Sequence, residues 1–212
     1  MNMIELLNER IVPVAVFDRV EDAVAVARAL CAGGLHTMEL TLRTPAAESC
    51  IAAIRRDVPE MKVGAGTVLT VEQVDRVCAL GAFFAVAPGL NPKIVRRAQE
   101  KNLPFAPGVM TPTEVEAALE LGCTVQKFFP ASVAGGLEML KALAGPYAHT
   151  GVKFIPLGGV NAQNMGEFLA LPIVGAIGGS WLVDKKLIAA KDWNGITKLA
   201  QGAVEIASRV AK

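Results

Sequence analysis

Histidine is almost missing from this sequence. His36 and His149 are the only two in 212 residues. Neither belongs to a cluster with metal-ligand spacing, which argues against metal catalysis and leaves His36 as a packing residue. Cysteine is sparse as well. Cys31, Cys50, Cys78 and Cys123 lie far apart and form no Cys-x-x-Cys pair. Three of them fall in alanine- and leucine-rich helical stretches, the pattern of reduced core thiols in a cytoplasmic protein. Trp181 and Trp193 are the only tryptophans, and they read as packing rather than a stacking platform. Charge of either sign is not in excess. A net charge of +1 gives no electrostatic case for nucleic acid or an anionic membrane. The uncharged stretch 168–183 is too short to span a bilayer comfortably, and Pro172 and Gly178-Gly179 interrupt it. Residues 1–10 are charged and amphipathic, unlike a signal peptide. There is no G-x-G-x-x-G after a strand-like run and no G-x-S-x-G, which argues against a dinucleotide site and a serine hydrolase.

What the sequence does have is alternation. It is 52% hydrophobic and 19% charged, which suits a strand layer buried on both sides. Short apolar runs at 11–17, 35–41, 61–65, 83–87, 104–106, 124–128, 152–157 and 173–177 are separated by amphipathic helical stretches. The helical stretches are punctuated. Residues 20–32 stop at Gly33-Gly34, and 45–56 open on Thr44-Pro45. The stretch 70–80 ends at Gly81, and 93–101 follow Asn91-Pro92. Residues 113–121 follow Thr111-Pro112 with Glu114 three after the cap. The stretches 137–144, 161–170 and 192–210 complete the set. Eight strand–helix units in succession predict a parallel (β/α)8 TIM barrel in the α/β class, with an open doubly wound sheet as the alternative. No linker, low-complexity tract or charge block divides the chain, so 1–212 reads as a single domain. An extra N-terminal helix is expected within 1–10, over residues 1–8.

In such a barrel the chemistry sits at the C-terminal ends of the strands. The second run puts Thr37, Glu39 and Thr41 on one face and His36, Met38 and Leu40 on the other. The apolar set should face the surrounding helices, so Glu39 should face the interior. Arg43 follows just beyond. The sixth run, Thr124-Val125-Gln126-Lys127-Phe128-Phe129-Pro130, puts Val125, Lys127 and Phe129 on one face. A lysine flanked by apolar neighbours either snorkels to solvent or has work to do. Desolvation disfavours an ammonium, and a neutral amine attacks a carbonyl. An inward Glu39 and an inward Lys127 can be a structural ion pair or an acid/base and a nucleophile. Arg43 is either a solvated loop residue or a carboxylate clamp. Gly158-Gly159 after the seventh run and Gly178-Gly179-Ser180 after the eighth are either plain turns or a phosphate cradle, since loops seven and eight of many barrels bind phosphate through backbone N–H groups.

These segments also resemble a known family. Val12-Pro13-Val14, Glu39-Leu40-Thr41-Leu42-Arg43-Thr44, Gly64-Ala65-Gly66-Thr67-Val68-Leu69, Ala87-Pro88-Gly89-Leu90, Pro107-Gly108-Val109, Lys127-Phe128-Phe129-Pro130, Gly158-Gly159 and Gly178-Gly179-Ser180-Trp181 are similar to motifs of the 2-dehydro-3-deoxy-phosphogluconate (KDPG)/4-hydroxy-2-oxoglutarate (KHG) aldolases. The resemblance implies a cytoplasmic, metal- and cofactor-independent class I pyruvate aldolase that forms a homotrimer. It implies Lys127 as the Schiff-base lysine and Glu39 as the acid/base. Arg43 and Thr67 would take the pyruvate carboxylate, and Gly158, Gly159, Gly179 and Ser180 the phosphate. Pro88 and Phe129 would line the pocket. Leu157 departs from the pattern, because the family usually has threonine before the first glycine pair, and this leaves the preferred keto acid open. Two rivals stand beside this reading. One is a sugar-phosphate isomerase using Lys127 as a general base. The other is a barrel that binds a phosphorylated metabolite without turnover.

Overall fold

Period-2 patterning and β-branched residues dictate short strands here, and the computed structural model places nine of them in parallel pairs. The structure describes residues 3, 5, 8 and 10–210. The N-terminal helix expected within 1–10 falls for the most part outside the described residues. The strands are β1 (Ile11–Ala15), β2 (Thr37–Thr41), β3 (Lys62–Gly66), β4 (Ala85–Val86), β5 (Phe105–Ala106), β6 (Gly108–Val109), β7 (Val125–Phe128), β8 (Lys153–Pro156) and β9 (Ile177–Gly179). They form a six-stranded sheet in the order β5-β4-β3-β2-β1-β9 and a three-stranded sheet in the order β6-β7-β8. Pro107 separates β5 from β6, because proline has no N–H to give the ladder. Its carbonyl still accepts from the Lys127 N–H at 2.8 Å. On the other side an isolated parallel bridge joins Leu157 to Gly178.

Helices α1 (Val20–Ala32), α2 (Ala47–Asp57), α3 (Val71–Ala79), α4 (Pro92–Glu100), α5 (Pro112–Glu120), α6 (Gly136–Tyr147), α7 (Met165–Leu169), α8 (Lys185–Ala189) and α9 (Trp193–Arg209) fill the connections. Several start where the sequence says they should. Thr70 with Gln73, and Thr111 with Glu114, form complete capping boxes, and Asn91 caps α4. Helix α2 does not follow that rule. Thr44 donates its hydroxyl to the Phe17 carbonyl at 2.5 Å instead of capping, and the helix begins at Ala47. Helix α7 begins four residues later than expected, because Asn161 and Asn164 bond each other's backbone in a turn.

Each strand has two buried faces. Met38 and Leu40 of β2 pack with Ile51 and Ile54 of α2 in the large cluster between sheet and helices. The opposite face carries a smaller cluster that includes Val12, Phe84, Val86, Val125 and Ile155. Burying side chains of this size is worth about 1.5–3 kcal/mol each. The last strand differs from expectation. Residues 173–177 are the more β-branched, yet the ladder with β1 pairs Ile11 with Ile177, Val12 with Gly178 and Pro13 with Gly179. Glycine is needed inside this strand. A Cβ at Gly178 would lie 2.5 Å from Leu157, and one at Gly179 would lie 1.6 Å from Trp181. Cys50 and Cys123 are buried, while Cys31 and Cys78 are only half-buried, so two of the four are core thiols. Among the described residues no helix is long and apolar enough to cross a membrane.

Candidate active site

Strand alternation brings Lys127 and Glu39 to the same inner space from opposite sheets. Lys127 pairs with Gly108 of β6 and Ile155 of β8, whereas Glu39 pairs with Val14 of β1 and Gly64 of β3. Both are buried, with 6% and 2% of their surface exposed. The Lys127 Nζ donates to both Glu39 carboxylate oxygens, at 3.0 and 3.1 Å. It also lies 5.6 Å from the centre of the Phe129 ring. The pair borders a cavity of about 10 Å³ walled also by Thr37, Phe84, Val86, Ile155 and Leu157. That is close to the smallest space that admits one water molecule.

A lysine and a glutamate in direct contact away from water are each other's partner. The Coulomb gain of such a pair is largely cancelled by the desolvation of both ions, so packing alone gives little reason for it. The carboxylate can take a proton from Nζ and leave a neutral amine, and later carry that proton elsewhere.

The other residues singled out from the sequence fall around this pair. Arg43 is exposed, and its Nε donates to the Thr41 hydroxyl at 3.1 Å, which ties it to the face that carries Glu39. Thr67 follows β3 in a left-handed conformation, φ 59°. For a β-branched residue this costs about 1–3 kcal/mol, and such strain gathers at functional sites. Pro88 follows β4 and is half-buried, as is Phe129 after β7. Neither Thr67 nor Pro88 has a hydrogen bond to the Lys127–Glu39 pair among the described residues. Gly158 and Gly159 turn the chain after β8 with φ of 98° and 89°, where only glycine is comfortable. The Leu157–Gly178 bridge sets this turn beside Gly179 and the exposed Ser180, which precedes a short 3₁₀ turn, Trp181–Val183. The N–H groups of Gly159 and Ser180 meet no backbone carbonyl among the described residues.

Sequence reasoning missed two further residues, Ser132 beside these loops and Gly66 beside Glu39. The Ser132 N–H donates to the Gly158 carbonyl at 2.9 Å, and a Cβ at Gly159 would lie 1.9 Å from the Ser132 hydroxyl oxygen. Gly66 reads from the sequence only as part of a motif, although glycine inside a strand is itself a sign of a close approach. No group of three metal-ligating side chains is gathered anywhere among the described residues.

Comparison with known proteins names the class that this fold and this site define. A family model of KDPG and KHG aldolases matches residues 3–199, and the chain belongs to that aldolase family. Among individual relatives, a 2-dehydro-3-deoxy-phosphogluconate aldolase of Treponema pallidum is 48% identical over 197 residues, 93% of each chain. The crystal structure of the KDPG aldolase from Legionella pneumophila, with pyruvate captured at low pH as a covalent carbinolamine, superposes with a TM-score of 0.92. It is 39% identical and covers 96% of this chain and 98% of its own. The Zymomonas mobilis ZM4 aldolase with 3-phosphoglycerate gives a TM-score of 0.90 at 36% identity, with 96% of both chains covered.

Proposed function

We propose that this protein is a class I aldolase that reversibly cleaves 2-dehydro-3-deoxy-6-phosphogluconate, 4-hydroxy-2-oxoglutarate or both to pyruvate and an aldehyde. The observation that carries this reading is the buried contact of the Lys127 Nζ with both oxygens of Glu39. Glu39 accepts a proton from Nζ, and the neutral amine adds to the C2 carbonyl carbon of the keto acid. The carbonyl oxygen takes up a proton, giving a carbinolamine, the species captured with pyruvate in the Legionella relative. Loss of water leaves a protonated imine. Glu39, again a carboxylate, takes the proton of the C4 hydroxyl. The C3–C4 electron pair then moves into the imine, which releases the aldehyde and leaves an enamine. Glu39 returns its proton to C3, and water hydrolyses the resulting imine to pyruvate and free Lys127. Arg43 and Thr67 hold the substrate carboxylate at the ends of β2 and β3. Phe129, Pro88 and Leu157 wall the pocket. Gly158, Gly159, Gly179 and Ser180 take the phosphate of a phosphorylated substrate, a role supported by the left-handed turn at Gly158-Gly159 set beside Gly179 and Ser180. No metal or cofactor is required by these steps.

The same reading makes the two sheets one closed (β/α)8 barrel in a single domain. Supports for closure are the Pro107 carbonyl that serves β7 and the Leu157–Gly178 bridge. Family membership further implies a cytoplasmic homotrimer. The exposed large apolar side chains among the described residues, Leu69, Met110 and Val133, stand on loops after β3, β6 and β7 and supply surface for such contacts. Light scattering at three times the 22.3 kDa chain mass checks the trimer. The decisive experiment for the function is trapping. Borohydride with pyruvate should add mass to the Lys127 peptide and abolish cleavage. Glu39→Gln should leave that adduct measurable while slowing cleavage about 10²–10⁴-fold. An adduct on Lys62 or Lys153 instead would remove Lys127 from its role, and turnover without any adduct would favour an isomerase-like use of the lysine.

A further inference from the structure

Gly66 closes β3 opposite Thr41 in the ladder with β2. Its φ is not in the left-handed range, so the backbone does not require glycine there. The requirement is space. A Cβ on Gly66 would lie 2.0 Å from Glu39 Oε1, 2.6 Å from Cδ and 2.6 Å from Cγ. All three atoms belong to one side chain, so Glu39 lies flat across the bare Cα of Gly66. The Cα of Glu39 is in register with Gly64, not Gly66, so its side chain leans along the strands toward their C-terminal ends. That lean delivers the carboxylate to Lys127 with its two oxygens at nearly equal distance.

We propose that Gly66 is a positioning residue for the proton transfers: the missing side chain is the slot that fixes the Glu39 carboxylate against Lys127. A methyl group there can be accommodated only if the Glu39 side chain moves from Cγ outward. It meets Glu39 along most of its length, inside a strand paired on both sides. The carboxylate must swing off Nζ, while Lys127 itself, on β7, is left in place.

The proposal rests on the aldolase reading, and the test separates the two. Wild type, Gly66→Ala, Glu39→Ala and the double variant are compared. Gly64→Ala is the control, because its added methyl meets the Phe84 ring at 2.4 Å as its nearest contact. The readouts, per folded molecule, are borohydride trapping of pyruvate at Lys127 and exchange of the pyruvate C3 hydrogens for deuterium. Gly66→Ala should keep measurable trapping but lose exchange about 10²–10⁴-fold, as when a general acid–base is displaced. Gly64→Ala should not split the two readouts. The melting temperature supplies an independent measure. Gly66→Ala should lower it in the wild-type background but not in the Glu39→Ala background, since Gly→Ala at a compatible backbone is otherwise neutral to stabilising. If Gly66→Ala fails to fold, rescue of folding by Glu39→Ala supports the proposal. Failure in both backgrounds overturns it. So does wild-type exchange in Gly66→Ala, or equal loss of trapping and exchange. If wild type itself does not trap pyruvate at Lys127, the aldolase reading falls, and the melting-temperature coupling alone still judges whether Glu39 occupies the slot.

Discussion

Replacing Lys127 by methionine keeps an unbranched side chain, one atom shorter, and removes its charge. The perturbation is more severe than it looks, because it leaves the Glu39 carboxylate 2% exposed and without the cation that both its oxygens contact. Breaking a buried pair from one side costs about 3–5 kcal/mol, since an uncompensated charge remains. At about 2–4 °C per kcal/mol for a chain of this size, the melting temperature should fall by about 6–20 °C. Replacing both partners removes the charge problem. Lys127→Met/Glu39→Met should therefore recover most of the loss, since a buried pair exchanged for apolar residues of similar volume is often neutral or better. The assay is urea denaturation of wild type, both single variants and the double variant, read as a thermodynamic cycle with the slope checked for constancy. Coupling of several kcal/mol is expected, and none of the three variants should cleave substrate. Two results would refute the reasoning. One is Lys127→Met within about 1 kcal/mol of wild type, the scale of an exposed pair. The other is a double variant as unstable as the sum of the singles.

Three further outcomes are expected. Inorganic phosphate or sulfate should inhibit cleavage of the phosphorylated substrate and barely touch that of 4-hydroxy-2-oxoglutarate; equal inhibition of both would make the Gly158-Gly159 and Gly178-Gly179 loops plain turns. Leu157 offers no hydrogen bond to a substrate hydroxyl, and such a bond in a buried site is worth about 1–3 kcal/mol when its partner is otherwise unpaired. Leu157→Thr should accordingly change the ratio of kcat/KM values for the two C4 epimers, and an unchanged ratio shows that position 157 does not read that hydroxyl. Burial pushes the thiols of Cys50 and Cys123 up to about 11, the Cys50 shift being reinforced by the charges of Glu21, Asp18 and Asp22. Both thiols stay protonated at neutral pH, so iodoacetamide should label the half-buried Cys31 and Cys78 first. The sign for stability follows: above about pH 8.5 the unfolded thiols ionise while the folded ones hold their protons. Stability should drop from there toward pH 11 and less steeply in Cys50→Ala, with labelling followed by peptide mass and stability by urea titration.

Much of this was legible in the residues themselves. Strict alternation in Thr37-Met38-Glu39-Leu40-Thr41 fixes which face Glu39 takes, because Met38 and Leu40 have only the helices to pack against. Lys127 is found the same way, from Val125 and Phe129 on its own face. Caps with a proline beside them, at Asn91 and Thr111, mark helix starts correctly because the side chain bonds locally and needs no tertiary context. Thr44-Pro45 has the same form but fails, since a distant carbonyl, that of Phe17, takes the hydroxyl. The eighth strand was misplaced for a related reason. Gly178 and Gly179 read as a turn from composition, and only the bulk of Leu157 and Trp181 from elsewhere shows why a strand must have glycine there. The direct contact of Glu39 with Lys127 and its passage across Gly66 also depend on which strands meet, and no window of sequence holds that information.

The Lys127–Glu39 contact also joins two parts of the fold. Glu39 belongs to the six-stranded sheet and Lys127 to the three-stranded one. The strands themselves meet at the joints through the Pro107 carbonyl on one side and the isolated Phe154–Val174 and Leu157–Gly178 bridges on the other. The Lys127–Glu39 contact therefore spans the seam between the two sheets. Activity in this protein should accordingly report on mechanical alignment: a small sliding of one sheet against the other, too slight to unwind a helix, is enough to silence the chemistry.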